Sequence, residues 1–263
     1  MIVDFHTHCY PDALAERAVR SVTEYTGVRS DGTYAGLRMA MARAGVDKAV
    51  VLPVCSVPGR EEKVDSFVLG LPRDGVIPFV SVHPHTHGAP DMVRAYAEAG
   101  VRGIKLHPVM QGFDLTDPDL PPLLEAARDS GMITLFHCGR TERGVCSPRD
   151  YFPSDFAHLA GYVDPERTVL AHSGGYDMPE GEADVLADLP FLTDTSLAQL
   201  CYTPERYGEL FARLGARRVL FGSDSPWCSE RDSLAFLRAA GIEGEDYALV
   251  TGGNAARLLG LTT

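Results

Sequence analysis

Residues 4 to 8 read Asp-Phe-His-Thr-His, at the end of an apolar run that begins at the second residue of the chain. In a strand, side chains two positions apart point to the same side. His6 and His8 therefore present two imidazoles toward one point, which is half of a metal site. A lone His-x-His is a weak signal, because a polar strand end satisfied by nearby carbonyls has the same pattern. Recurrence strengthens it: Lys105 and His107, His137, His172 and Asp224 also stand at or just beyond the ends of later apolar runs. Three or four imidazoles with a carboxylate suit Zn²⁺ or a similar borderline divalent ion, and a catalytic site keeps one position for water. Such an ion acidifies its water to a pKa of about 7 in the best cases. Asp224 then either ligates the ion or takes the water's proton, two roles that need nearly the same position.

Eight apolar runs rich in β-branched residues would carry these groups, at 2–6, 48–53, 76–82, 103–107, 132–137, 168–172, 191–195 and 218–222. Their length and their Gly, Pro and Asp boundaries predict buried parallel strands. Helical periodicity fills most of the gaps, at 36–44, 90–99, 121–130, 153–161, 180–188 and 204–214, and returns after the last strand at 231–240 and 247–259. Several of these stretches start at Pro or follow Asp or Thr, the chemistry of helix starts. Strict alternation predicts an α/β protein whose eight units close into a (β/α)8 TIM barrel, a single domain over 1–263. A doubly wound open sheet is the alternative, although no G-x-G-x-x-G follows the first strand to support its dinucleotide-binding form. In a barrel, catalytic groups gather at the C-terminal strand ends, so the groups above are expected at one mouth.

Composition narrows the partners. Lys and Arg total 24 against 36 Asp and Glu, a formal charge of -12. This argues against broad binding to nucleic acid or anionic membrane, which needs a positive footprint, but leaves a small anionic substrate open. No stretch approaches the roughly 18 apolar residues of a membrane span, and Asp4 and His6 precede any signal-peptide core. A cytoplasmic protein is expected, with a small-molecule substrate and a homodimer left open. Cysteines at 9, 55, 138, 146, 201 and 228 form no C-x-x-C pair, which predicts reduced thiols and no disulfide framework.

The ordered motifs resemble the amidohydrolase superfamily, within it the amidohydrolase-related (amidohydrolase 2) group of metal-dependent hydrolases and decarboxylases. They are His6-Thr7-His8, Gly103-Ile104-Lys105-Leu106-His107-Pro108, Phe136-His137, Ala171-His172-Ser173-Gly174-Gly175, Asp194-Thr195-Ser196 and Phe221-Gly222-Ser223-Asp224-Ser225-Pro226. The closing Asn254 to Leu261 segment is similar to that group's final helix. The resemblance implies that His6, His8, His137 and Asp224 are metal ligands. It also implies that His172 binds a second ion or acts on substrate or water. Lys105 stands where binuclear members carry a bridging group: carboxylated it would ligate, unmodified it would hold a substrate carboxylate. One or two ions, Zn²⁺ or another divalent metal such as Mn²⁺, are implied.

Other residues carry weaker readings. His107 faces the same mouth as Lys105 by spacing, as a substrate group or a partner of one. Arg140, three residues after His137, is the best candidate to hold an anionic substrate group. Trp227, the only tryptophan, lines the pocket or wedges the last loop. His83, His85 and His87 form a tract interrupted by Pro84, with His83 best placed to reach the site. Segments 9–34 and 140–153 are expected to be long loops with arginines and aromatics, including Arg143 and Tyr25. Buried, inert thiols are expected at Cys9 and Cys138, whereas Cys146 and Cys228 belong to loops at the catalytic end.

The reaction expected is hydrolysis of an amide, cyclic amide, lactone or ester, with Asp224 moving the proton and His172 steadying charge. The alternative is non-oxidative decarboxylation of an aromatic or unsaturated acid. A zinc-binding scaffold without activity is the third reading.

Overall fold

All eight apolar runs form short strands in the computed structural model, which describes residues 1–20, 29–141, 149–176 and 178–262. They are β1 (Val3–Thr7), β2 (Lys48–Val51), β3 (Val76–Pro78), β4 (Gly103–Leu106), β5 (Ile133–Phe136), β6 (Thr168–Leu170), β7 (Leu192–Asp194) and β8 (Val219–Leu220). Burial on both faces explains why these strands read as continuous apolar runs rather than alternating ones: every residue of β1 is buried.

The chain divides into two compact units. The first comprises Met1–Val51, Leu71–Ile77 and Thr193–Thr263. Here β7 pairs in parallel with β8, β8 meets β1 through the Phe5 amide and the Phe221 carbonyl at 2.7 Å, and β1 pairs in parallel with β2. The order β7, β8, β1, β2 brings chain segments some 200 residues apart into one layer. The end of the chain closes over it: Asn254 donates from Nδ2 to the Ala216 and Val219 carbonyls at 2.7 and 2.8 Å.

The second unit comprises Leu52–Gly70 and Pro78–Leu192. Val80 bridges β4 at Ile104, β4 pairs in parallel with β5, and β5 with β6. Gly103 starts β4 because a Cβ there would lie 2.4 Å from the Phe79 ring.

The helices follow local chemistry. Pro204–Leu214 begins on Thr203, whose hydroxyl accepts from the Arg206 amide, and buries Tyr207, Leu210, Phe211 and Leu214 at i, i+3, i+4 and i+7. Tyr34–Ala44 is capped by Thr33 and stopped by Gly45 in the left-handed region. Among the described residues, two helices of nine residues were not expected, besides the single turns Pro108–Gln111 and Ala198–Cys201. Asp12–Arg20 lies inside the predicted 9–34 loop and buries only Ala15 and Val19, while Glu61–Leu69 buries Glu61, Asp65 and Val68. The predicted 247–259 helix is three pieces, Gly244–Ala248, a wide turn at Leu249–Gly253 and Asn254–Leu259. Among the described residues no helix is long and apolar enough to cross a membrane.

Candidate metal centre

β1 carries His6 and ends one residue before His8, and Asp224 lies four residues past β8. All three belong to the first unit and are buried. Asp224 Oδ1 lies 3.4 Å from His6 Nε2 and 3.2 Å from His8 Nε2, and one ligand atom from each residue falls within 4.8 Å of the others. In a tetrahedral set with bonds of about 2.05 Å, donor atoms stand roughly 3.3 Å apart. Two imidazoles and a carboxylate at these separations therefore fit one divalent ion, with a coordination position to spare.

The backbone that presents Asp224 is constrained. Its φ of 64° lies in the left-handed region, which costs a non-glycine residue on the order of 1 kcal/mol or more. Two contacts hold it there: the Asp224 amide donates to the His6 carbonyl at 2.9 Å, and its carbonyl accepts from the Trp227 amide at 3.0 Å. Asp4 braces the same loop from β1. Its Oδ1 accepts from the Ser223 and His6 amides at 3.0 and 3.1 Å, and its Oδ2 from the Ser223 hydroxyl at 2.5 Å. Burial, aided by the charge of Glu230, holds the Asp4 carboxyl well above the usual carboxylate range against the pull of those bonds.

Asp194, at the end of β7, fixes the ring of His6. Its Oδ2 lies 2.8 Å from His6 Nδ1, and its Oδ1 accepts from the Ser196 amide at 3.0 Å and from the Ser196 hydroxyl. With the proton on Nδ1 shared with a carboxylate, Nε2 keeps its lone pair on the side of His8 and Asp224, the usual carboxylate–histidine–metal relay. Gly222 makes this contact possible: a Cβ there would meet His6 Cβ at 2.8 Å and Asp194 Cγ at 3.3 Å.

Trp227 is 5% exposed, donates from Nε1 to the Val19 carbonyl at 3.1 Å and packs its ring 5.2 Å from that of His8. These contacts tie the last loop to the Asp12–Arg20 helix and place the Trp227 ring beside His8.

The remaining predicted residues lie in the second unit. The rings of His107 and His137 stack at 3.8 Å and 8°. His137 Nδ1 lies 3.0 Å from His172 Nε2, and its Nε2 lies 2.9 Å from the Thr141 hydroxyl. One of the two facing histidine nitrogens must carry the proton. His107 also caps the Pro108–Gln111 turn, its Nδ1 accepting from the Met110 amide at 3.3 Å. His172 and Ser173 are both left-handed, with φ of 61° and 58°. Lys105 is 1% exposed on β4, with its amide bonded to the Val80 carbonyl at 2.8 Å. Arg140 is exposed and is anchored by its amide to the Tyr176 carbonyl.

In the His83 tract, His85 lies with Asp117 and Asp119 in an exposed to half-buried group at metal-ligand spacing, apart from the trio. His83 is buried with Nε2 2.7 Å from the Gln111 carbonyl, His85 pairs with Asp117 at 2.6 Å, and His87 is exposed. Burial pushes Cys9 up to about 12 and Cys228 upward as well, which disfavours the reactive thiolate at both; Cys228 lies, as expected, in the loop between β8 and the Glu230–Ala239 helix, and is buried there. Tyr25, Arg143 and Cys146 lie outside the described residues.

Asp194, Ser196 and Asp4 are the residues bonded around the trio that sequence reasoning missed. The Asp194-Thr195-Ser196 run carries part of the family resemblance, and that was the available signal; nothing in the spacing tied it to His6.

The fold is that of a TIM barrel. The chain is similar over 98% of both lengths to an uncharacterized Tim-barrel protein from Bordetella bronchiseptica, at 19% identity and a TM-score of 0.73. It is likewise similar over 99% of both chains to 5-carboxyvanillate decarboxylase from Sphingomonas paucimobilis, at 15% and 0.71. A third likeness, also over 99% of both, is to a "probable 2-pyrone-4,6-dicarboxylic acid hydrolase" from Acinetobacter baumannii with citric acid bound, at 14% and 0.68. The chain belongs to the amidohydrolase family, whose model (Amidohydro_2) matches residues 3–261. No curated protein matches it in sequence.

Proposed function

We propose that the protein is a metal-dependent hydrolase that opens an amide, cyclic amide, lactone or ester of a small molecule. The observation that supports this most is the buried His6, His8 and Asp224 trio at metal-ligand spacing, with His6 oriented by Asp194. A divalent ion, Zn²⁺ or Mn²⁺, would supply an acidified water and polarise the substrate carbonyl. Asp224 accepts the proton of the attacking water on its carboxylate and returns it to the leaving group. Asp194 holds the proton on His6 Nδ1, so that His6 faces the ion as a neutral donor. For the second unit the proposal keeps the earlier expectations: by resemblance His137 is a further ligand, His172 a ligand of a second ion or a group that steadies charge on the substrate, and Lys105 a carboxylated ligand or, unmodified, a holder of a substrate carboxylate; by spacing His107 and Arg140 are substrate-side groups.

A second reading is non-oxidative decarboxylation, supported by the end-to-end likeness to 5-carboxyvanillate decarboxylase. In it the substrate carboxylate leaves as carbon dioxide and its carbon takes up a proton.

One experiment separates them. The Zn²⁺- and Mn²⁺-loaded protein is offered panels of lactones, cyclic amides, esters and aromatic acids, with acid release and carbon dioxide release read in parallel. Hydrolysis predicts acid release without carbon dioxide, and Asp224→Asn with metal still bound should lose roughly 10²–10⁴-fold in rate. Undiminished turnover in that variant overturns the proton transfer assigned to Asp224; carbon dioxide release selects the second reading.

A further inference from the structure

A cleft of about 390 Å³ in the first unit is lined by none of the trio's side chains. Its walls come from the outer helices, with Arg43 from Tyr34–Ala44 and Glu230 and Arg231 from the start of Glu230–Ala239. Arg29, Ser225 and Ser229 complete the part that matters. Three exposed arginines and one buried glutamate thus share the lining of this cleft, in a chain whose acidic residues outnumber its basic ones 36 to 24. Of these cations Arg231 has a nearby carboxylate, 3.8 Å away on exposed Asp232, a pairing that solvent makes weak.

Glu230 is the unusual member. It is 2% exposed and accepts a hydrogen bond from the Ser225 hydroxyl, while its Oε1 has no hydrogen-bond partner among the described residues. A buried acceptor left unpaired costs about 1–3 kcal/mol, more when charged, and a donor brought into the cleft would remove that cost. The first turn of the Glu230–Ala239 helix, capped by Ser229, adds its positive end to the same space.

We propose that this cleft is a second ligand site, which takes a small organic anion that also carries a hydrogen-bond donor. Its phosphate or carboxylate head meets Arg29, Arg43 and Arg231, whose planar forks match such groups. A hydroxyl or ammonium on the same molecule donates to Glu230 Oε1. The arginines supply affinity, and Glu230 supplies the choice among anions.

Isothermal titration of the protein with glycerol 3-phosphate, glycerate and methyl phosphate tests this. The first two offer hydroxyl donors on different anionic heads; methyl phosphate offers the head alone. Glycerol 3-phosphate or glycerate should bind at least tenfold tighter than methyl phosphate, and which of them wins identifies the head group. The double variant Arg43→Ala, Arg231→Ala should weaken the preferred ligand at least tenfold. Glu230→Met, which removes the acceptor at similar volume, should erase the preference over methyl phosphate. No binding of either hydroxylated anion at millimolar concentration overturns the proposal. So does binding unchanged by the double variant, which would place the anion elsewhere, and so does a preference that survives in Glu230→Met.

Discussion

Asp194 and His6 stand on strands that β8 separates, yet the carboxylate and the imidazole Nδ1 meet at 2.8 Å across Gly222. The carboxylate accepts on both oxygens at once, from His6 on one side and from Ser196 on the other. An amide can accept on only one.

Asp194→Asn must therefore turn an NH2 group toward either the His6 ring or the Ser196 amide. Metal affinity should fall by roughly 10–100-fold, as for other groups that orient a ligand, with the fold unchanged. Competition against a chromophoric chelator measures it, and a wild-type affinity would show that Asp194 does not set the His6 tautomer.

Trp227 is the sole tryptophan, and its ring packs 5.2 Å from that of His8. Its emission should report metal binding directly, and a paramagnetic ion such as Mn²⁺ should quench it. The signal should saturate, and it should disappear in His8→Ala. Emission indifferent to saturating metal would place the ion away from His8.

Asp65 gives a pH dependence remote from the proposed ligands. Its carboxyl accepts from the Ser81 amide at 3.0 Å and the Tyr96 hydroxyl at 2.9 Å, but burial, aided by the charge of Glu61, pushes its pKa from 3.8 up to about 7. Between roughly pH 4 and 7 the folded chain holds a proton that the unfolded chain has released, so stability falls as pH rises through that window. Asp65→Asn removes the titration, with its oxygen accepting from the Ser81 amide and its NH2 donating to the Tyr96 hydroxyl oxygen, a reversal of the second bond. Denaturant unfolding should show the wild type losing on the order of 3 kcal/mol relative to this variant from pH 4 to 8. A constant difference would mean that Asp65 ionises normally.

The fate of the thiols is a simpler matter. With Cys9 pushed up to about 12 and Cys228 also raised, neither forms thiolate at pH 8. Brief iodoacetamide treatment of the native protein, mapped by mass spectrometry, should leave both unlabelled, and labelling at the rate seen in urea would contradict their burial.

What the sequence revealed followed from what each residue needs locally. The strands were visible because burial on both faces demands unbroken apolar runs, and His6, His8 and Asp224 because they sit at strand ends. The Glu61–Leu69 helix was not visible, since its inward positions are Glu61 and Asp65, carboxylates where an apolar stripe is the usual sign. Asp12–Arg20 was hidden for a related reason: only Ala15 and Val19 face inward, too narrow a stripe to stand out from a polar loop. Asp194 could be seen as part of a motif but not as the partner of His6, because that pairing depends on strand order in space. The stacking of His107 on His137 likewise required two adjacent strands to be placed side by side.

Gly222 has a consequence for how such a centre can be lost. The protein reserves, between two strands, a gap of one carbon atom, and the tautomer of an imidazole depends on that gap staying open. A methyl group added there removes no proposed ligand, yet it would wedge apart the carboxylate and the ring that it orients. Inactivation can thus enter through an unfilled space, at a position no catalogue of ligands would include.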